Sequence, residues 1–320
     1  MTEQAAWIWF SAALEPGGKD GVRLLERFGS PAAVYAAEKE ELCAAADLSE
    51  RVLSHLCDKN TDTALQIEEY CVRHCIGLLS YDNPCYPDRL RHIERPPMLL
   101  YYKGKIPYVD QQLCIALVGT RQMSEYGKRM AYRLGYELGG SGAVTVSGMA
   151  LGIDGMAHQG TLDAGGHTVA VLGCGIDVVY PAAHRELTEQ IAAKGTILTE
   201  YAPGVRPNSW NFPVRNRIIS GLCQGTVVVE ASAKSGAILT AEHAIAQGRD
   251  IFAVPGNADR TGSDGCHALL RGGAKLAASS RDILDFYAVA YHHISTRTVS
   301  RLPVFIPHTR TRRATGAIRK

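Results

Sequence analysis

The amino-acid sequence predicts an α/β chain: a Rossmann-like, doubly wound, mostly parallel sheet preceded by a small all-helical domain. Three observations carry this. From residue 115 onward short apolar runs alternate with helical patterns, the order that builds parallel strands joined by right-handed crossovers. Several runs are apolar throughout, as in Val169-Ala-Val-Leu172 and Thr226-Val-Val-Val229, which suits strands covered on both faces. The first run, Ile115-Ala-Leu-Val118, leads straight into Gly119 and a helical pattern from Glu125 to about Leu138. Strand, glycine turn and helix form the unit that points backbone N–H groups and a positive helix end at an anion.

At 320 residues, 46% of them hydrophobic, the chain is long enough for two domains with real cores. The net charge of +2 supplies no global field towards nucleic acid, so any basic surface is local. The nine cysteines are scattered without a C-x-x-C pair, which fits reduced thiols in a reducing cytosol better than zinc ligation. Ala5-Ala-Trp-Ile-Trp-Phe10 is apolar but short, follows Glu3 and lacks a basic flank, so it reads neither as a signal peptide nor as a membrane span. The expected location is cytoplasmic, away from membranes.

Residues 1–75 read as short helices joined by glycine turns, such as Gly21–Gly29 and the restart at Ser30-Pro31. That pattern suits a SAM-like or helix-hairpin-helix module, and equally a plain helical packing domain. Residues 76–112 form a proline- and tyrosine-rich connector with an edge strand expected at Met98–Tyr102. The Rossmann-like domain is expected over 113–290. Its strands fall at Ile115–Val118, Ala143–Ser147, Thr168–Leu172, Thr196–Thr199, Thr226–Glu230 and Asp250–Val254, with helices near 125–138, 153–164, 184–194, 214–223 and 235–247. Residues 291–320 carry arginine and lysine with no acid after His292, the composition of a disordered basic tail.

Each strand ends in a loop suited to chemistry. No G-x-G-x-x-G follows the first strand and no Walker A motif occurs, so neither an NAD site nor a P-loop is supported, and no cofactor is expected. What remains is a set of cations, Arg121, Arg215, Arg217 and Lys234, on one sheet edge. With them stand small or polar turn residues: Gly119, Thr120, Ser147, Gly148, Gly173, Gly175, Asn216, Ser235 and Gly236. Positive groups along a groove suit the backbone of a single nucleic-acid strand. Asp154 and His158 lie at i, i+4 and could hold a metal or form an acid–base pair; with no third ligand identifiable, a helix-end acid and a packed histidine are favoured, and no metal or catalytic residue is assigned. Glu200 and Glu230 at strand ends are either catalytic or partners of the arginines, and the sequence leaves both readings open.

A set of motifs in order resembles the DNA-processing protein A family (DprA, also called Smf). They are Val118-Gly-Thr-Arg121, Ser147-Gly-Met-Ala-Leu-Gly-Ile-Asp154, Gly175-Ile-Asp-Val-Val-Tyr-Pro181, Phe212-Pro-Val-Arg-Asn-Arg217, Ser235-Gly-Ala-Ile-Leu-Thr-Ala241, Val254-Pro-Gly256 and Gly265-Cys-His-Ala-Leu-Leu270. The resemblance implies a single-stranded DNA-binding protein that protects incoming DNA in natural transformation and loads RecA recombinase onto it. It also implies a homodimer through the Rossmann-like domain, a DNA contact at Arg121, and no enzymatic activity. Two departures stand out: Ala182 follows Tyr180-Pro181 where some members have lysine, and the basic tail stands where many carry a winged-helix-like domain. The alternative is a phosphoribohydrolase-like enzyme using the same sheet edge, but the Pro-Gly-Gly-x-Gly-Thr-x-x-Glu signature of those enzymes is missing.

Overall fold

The computed structural model describes residues 1–106 and 109–291; the basic tail expected from 291 lies, from residue 292 on, outside the described residues. Six helices come first: α1 (Glu3–Leu14), α2 (Gly21–Phe28), α3 (Pro31–Ala36), α4 (Lys39–Ala45), α5 (Glu50–Cys57) and α6 (Asp62–Arg73). Trp7, Ile8, Trp9 and Phe10 of α1 are all buried, so this helix, apolar on every side, is the core its neighbours wrap. The connector supplies β1 (Gly77–Ser80), α7 (Asp88–Arg91) and β2 (Leu99–Gly104).

The remaining elements are β3 (Cys114–Val118), α8 (Glu125–Gly140), β4 (Val144–Ser147), α9 (Ile153–Asp163), β5 (Thr168–Val171), α10 (Arg185–Lys194) and β6 (Thr196–Thr199). After them come α11 (Asn211–Gly221), β7 (Gly225–Val228), α12 (Gly236–Ala246), β8 (Asp250–Ala253), α13 (Asp264–Arg271), β9 (Lys275–Leu276) and α14 (Ser280–Tyr287). The sheet runs β1-β2-β6-β5-β4-β3-β7-β8-β9. From β6 to β9 every pairing is parallel. The two connector strands add antiparallel, with Tyr101 opposite Thr199. The strand expected at the edge is therefore one place inside it, and β1 forms the edge.

Alternation along β3 shows why both sheet faces are covered. Ile115 and Leu117 point into a cluster with Leu134 and Leu138 of α8 and Ile283 of α14, while Ala116 and Val118 join Ile218, Ile219 and Ala241 of α11 and α12. A third cluster joins the helical domain to the sheet through Leu99, Tyr101 and Ile197. The chain order turns back between β3 and β7, and the crevice beyond their carboxyl ends is where such a sheet takes a ligand.

Helix α9, whose N-terminus borders that crevice, meets α8 backbone to backbone. A Cβ on Gly135 would strike the Ala157 carbonyl, and one on Gly160 would strike the Tyr132 carbonyl. Glycine at these positions permits the close approach.

Candidate functional site

At the switch point lies an open groove of about 420 Å³, with Gly119, Arg121, Tyr180, Phe212, Arg215 and Gly236 among its walls. Gly119 ends β3 where a Cβ would come within 2.5 Å of Ile153, so only glycine lets the turn lie this close to α9. The Thr120 amide donates to the Glu230 carbonyl at 2.7 Å, its carbonyl accepts from Ile153, and its hydroxyl accepts from the Gln122 amide. The turn is thereby fixed from three sides and holds Arg121 outward. Arg121 is exposed and has no carboxylate partner among the described residues, and its guanidinium lies over the Phe212 ring at 5.2 Å.

Phe212 opens α11, and Arg215 stands one turn further on the same face, its guanidinium 5.8 Å from the ring. Arg215 is buried. It donates to the carbonyls of Gly148 (2.7 Å) and Val171, while its Nε donates to Asn216 Oδ1 at 3.2 Å. Gly148 has no side chain because the Arg215 guanidinium fills that space: a Cβ there would lie 2.6 Å from it. Burial lowers the Arg215 pKa to about 10, and the nearby Asp154 carboxylate opposes the shift. Arg215 ties the ends of β4 and β5 together beneath the groove.

Asp154 accepts from the amides of Gly148 (3.1 Å) and Ala150 (3.3 Å), holding the loop that enters α9. Burial pushes its pKa up to about 6, against the Arg215 charge and these hydrogen bonds. His158 is wholly buried and donates through Nδ1 to Thr168 Oγ1, whose own proton goes to the Thr145 carbonyl. Asp154 also lines the groove, whereas His158 does not, and no group of three potential metal ligands occurs among the described residues.

Other expected site residues divide. Asn216, Ser235 and Gly236 line the groove, with Ser235 accepting from the Ala237 amide as the N-cap of α12. Lys234 is exposed on the preceding turn. Gly173 faces an adjoining cleft with Phe212 against it, where a Cβ would meet the ring at 2.8 Å. Ser147, in contrast, is fully buried and donates to the Leu117 carbonyl at 2.6 Å, so its hydroxyl is committed to the sheet. Gly175 pins its turn to the 202–205 loop through the Val205 carbonyl.

Arg217 also departs from expectation. Two residues along a helix rotate a side chain by about 200°, so Arg215 and Arg217 leave α11 on opposite sides. Arg217 Nη2 donates to both oxygens of Glu200 at 2.7 Å in a buried pair outside the groove. Glu230 accepts from the Ser124 amide (2.9 Å) and hydroxyl (3.1 Å) at the start of α8. The two carboxylates left open by the sequence are thus held by other groups.

The sequence reading did not pick out the aromatic residues. Tyr180 stacks on Phe212 at 5.5 Å, continuing the Arg121–Phe212 contact into a row of cation and two rings. Trp210, the residue before α11, is 79% exposed, a large ring offered to solvent beside the groove. Phe212 could have been found from its place three residues before Arg215.

The model of the family described as DNA recombination-mediator protein A matches residues 77–288. The DNA processing protein DprA of Streptococcus pneumoniae is 44% identical over 200 residues, covering 62% of this chain and 70% of that protein. Protein Smf of Synechocystis is 36% identical over 287 residues, covering 88% and 72%. Among solved structures, DprA of Streptococcus pneumoniae has a TM-score of 0.71 at 34% identity, covering 89% of this chain and 98% of that one. DNA processing protein A of Helicobacter pylori, a protein that binds single-stranded DNA, has a TM-score of 0.61 at 30% identity, covering 68% and 97%. With the family model spanning the sheet from β1 to α14 and both relatives sharing the fold, this chain belongs to the DNA recombination-mediator protein A family, that of DprA and Smf.

Proposed function

We propose that this protein binds single-stranded DNA in the groove beyond β3 and β7, protects incoming DNA in natural transformation and loads RecA recombinase onto it. It acts as a binding protein without catalysis, as a homodimer through the Rossmann-like domain. The observation that carries the DNA reading is the row Arg121–Phe212–Tyr180 along the groove wall. A cation beside stacked rings offers one group for a phosphate and flat faces for bases, a combination that holds a single strand without reading its sequence. The N-termini of α9 and α12 and the glycine turns add backbone N–H groups for phosphates. Support for the recombination and RecA steps comes from family membership, and support for dimerisation from the motif resemblance. Glu200 and Glu230, the carboxylates a nucleotide-hydrolysing reading needs, are occupied by Arg217 and Ser124, which favours the binding reading.

Fluorescence anisotropy with labelled oligonucleotides of increasing length, against duplexes of equal length and across a salt series, tests this. Tight, length-dependent binding to single strands is expected, with no base released from nucleoside monophosphates. Equal affinity for duplex, or base release, would overturn the proposal.

A further inference from the structure

The turn that carries Arg121 is anchored at both ends by one residue, Glu230, which is 9% exposed and is not among the groove walls. Glu230 lies two residues past β7, where the pairing of β3 with β7 runs on beyond both strands. The Val229 amide donates to the Val118 carbonyl at 2.9 Å, and the Thr120 amide donates to the Glu230 carbonyl at 2.7 Å. The side chain of the same residue reaches the far end of the turn. Its Oε2 accepts from the Ser124 amide at 2.9 Å and from the Ser124 hydroxyl at 3.1 Å. Ser124 is in turn the N-cap of α8, its Oγ accepting from the Gly127 amide at 3.1 Å.

The neighbouring glycines make room for this arrangement. A Cβ on Gly127 would strike Glu230 Oε2, and one on Gly119 would lie 2.9 Å from the Glu230 carbonyl oxygen. Across the turn, the Gln122 amide donates to the Thr120 hydroxyl at 3.2 Å. Residues 120–124 therefore close on Glu230 as a short loop, with exposed Arg121 inside its span. A loop ordered in advance loses less conformational freedom when its ligand arrives.

We propose that Glu230 is a positioning residue for single-stranded DNA: by holding Thr120 and Ser124 it sets Arg121 in place for a phosphate. This rests on the groove reading given above. The role calls for an acceptor oxygen and not for a negative charge, because the amide and hydroxyl it holds are both neutral donors. Glutamine offers the same oxygen at the same reach. The competing account is that Glu230 only supports the start of α8. Its loss would then lower the melting temperature and leave the affinity of the folded protein as it was.

Fluorescence anisotropy of a labelled single strand, titrated with the full-length protein across a salt series, separates the two accounts. Arg121→Ala, Glu230→Ala, Glu230→Gln and the double alanine variant are compared, each with its melting temperature. Glu230→Ala should weaken binding about tenfold, the effect of one lost charge-assisted hydrogen bond. It should also lower the log–log salt slope by about 0.7, as Arg121→Ala does. The double variant should bind no more weakly than Arg121→Ala alone, since both changes remove one contact. Glu230→Gln should keep the wild-type affinity and slope. Glu230→Asp, which keeps the charge but withdraws the oxygen by one methylene, should lose affinity as Glu230→Ala does, and replaces it in the comparison if the alanine variant does not fold. Wild-type affinity in Glu230→Ala and Glu230→Asp, additive losses in the double variant, or a glutamine variant as weak as alanine would overturn the proposal. Loss in Arg121→Ala without loss at Glu230 would overturn this proposal alone. Wild-type affinity in Arg121→Ala would instead overturn the groove reading, and this proposal with it.

Discussion

Arg121 lies over the ring of Phe212, guanidinium carbon to ring centroid 5.2 Å, on the outside of a turn whose backbone is fixed from three sides. The side chain is exposed, so its removal takes nothing from the core. Arg121→Ala should weaken single-strand binding and lower the slope of log affinity against log salt by about 0.7, the share of one phosphate contact. The melting temperature should not change. Equal slopes in variant and wild type, with the fold intact, would take Arg121 out of the site.

Trp210 tests the other half of the interaction. Its ring is 79% exposed at the start of α11. Trp210→Ala should reduce single-strand affinity by about 1–3 kcal/mol, the range for one stacked base. Because no charge is removed, the salt slope should stay as it was. A variant with wild-type affinity would show that the strand passes the groove on another side.

Glu200 accepts from Arg217 at 2.7 Å and from the Gly17 amide at 3.2 Å, so one carboxylate joins α11 to the helical domain. Glu200→Gln removes the charge that balances a buried guanidinium and should destabilise the protein by about 3 kcal/mol. Urea unfolding measures this. A loss within a few tenths of the wild-type value would mean that Arg217 finds another partner when Glu200 is neutralised.

Acidification separates two buried groups that pull in opposite directions. Burial lowers the His158 pKa from 6.5 to about 3, so the unfolded chain takes up a proton that the folded chain refuses. Its contribution to stability is complete above 6.5 and is lost as pH falls towards 3. Asp154 is raised from 3.8 to about 6, so its contribution is complete below 3.8 and is lost as pH rises through 6. Relative to wild type, Asp154→Asn should make stability fall more steeply on going from about pH 6 to about pH 4. His158→Gln should make it fall less steeply. Each change in slope is bounded by about 1.4 kcal/mol per pH unit. Unfolding curves at several pH values check both, and parallel profiles for all three proteins would contradict the burial argument. Asp154→Asn should also leave DNA binding largely intact, since the carboxylate is occupied by the Gly148 and Ala150 amides.

The parallel strands were legible because they carry unbroken apolar runs: Ile115–Val118 and Thr196–Thr199 each fall within one residue of β3 and β6. Alternation with helices then set their order. The connector was harder to read. β1 and β2 pair antiparallel with each other and with β6, and Leu78, Tyr102 and Lys103 carry no periodicity that announces such a long-range addition. At the site, Arg121 could be read from its position past a strand end. The separate duties of Arg215 and Arg217 were written in their two-residue spacing, which a helix turns into opposite directions. The role of Ser147 was hidden, because a hydroxyl at a strand end looks the same whether it faces a ligand or, as here, the Leu117 carbonyl.

The contact between α8 and α9 sets a mechanical property of the groove. With Gly135 and Gly160 laying one helix's backbone on the other's, no rotamer intervenes at these two points of contact. The N-terminus of α9 is therefore held on one stiff beam, and its setting against the turn at Gly119 is a fixed gauge. An arriving strand has to adapt its own stride to that gauge. The entropy lost on binding should therefore fall on the nucleic acid, with little of it on the protein.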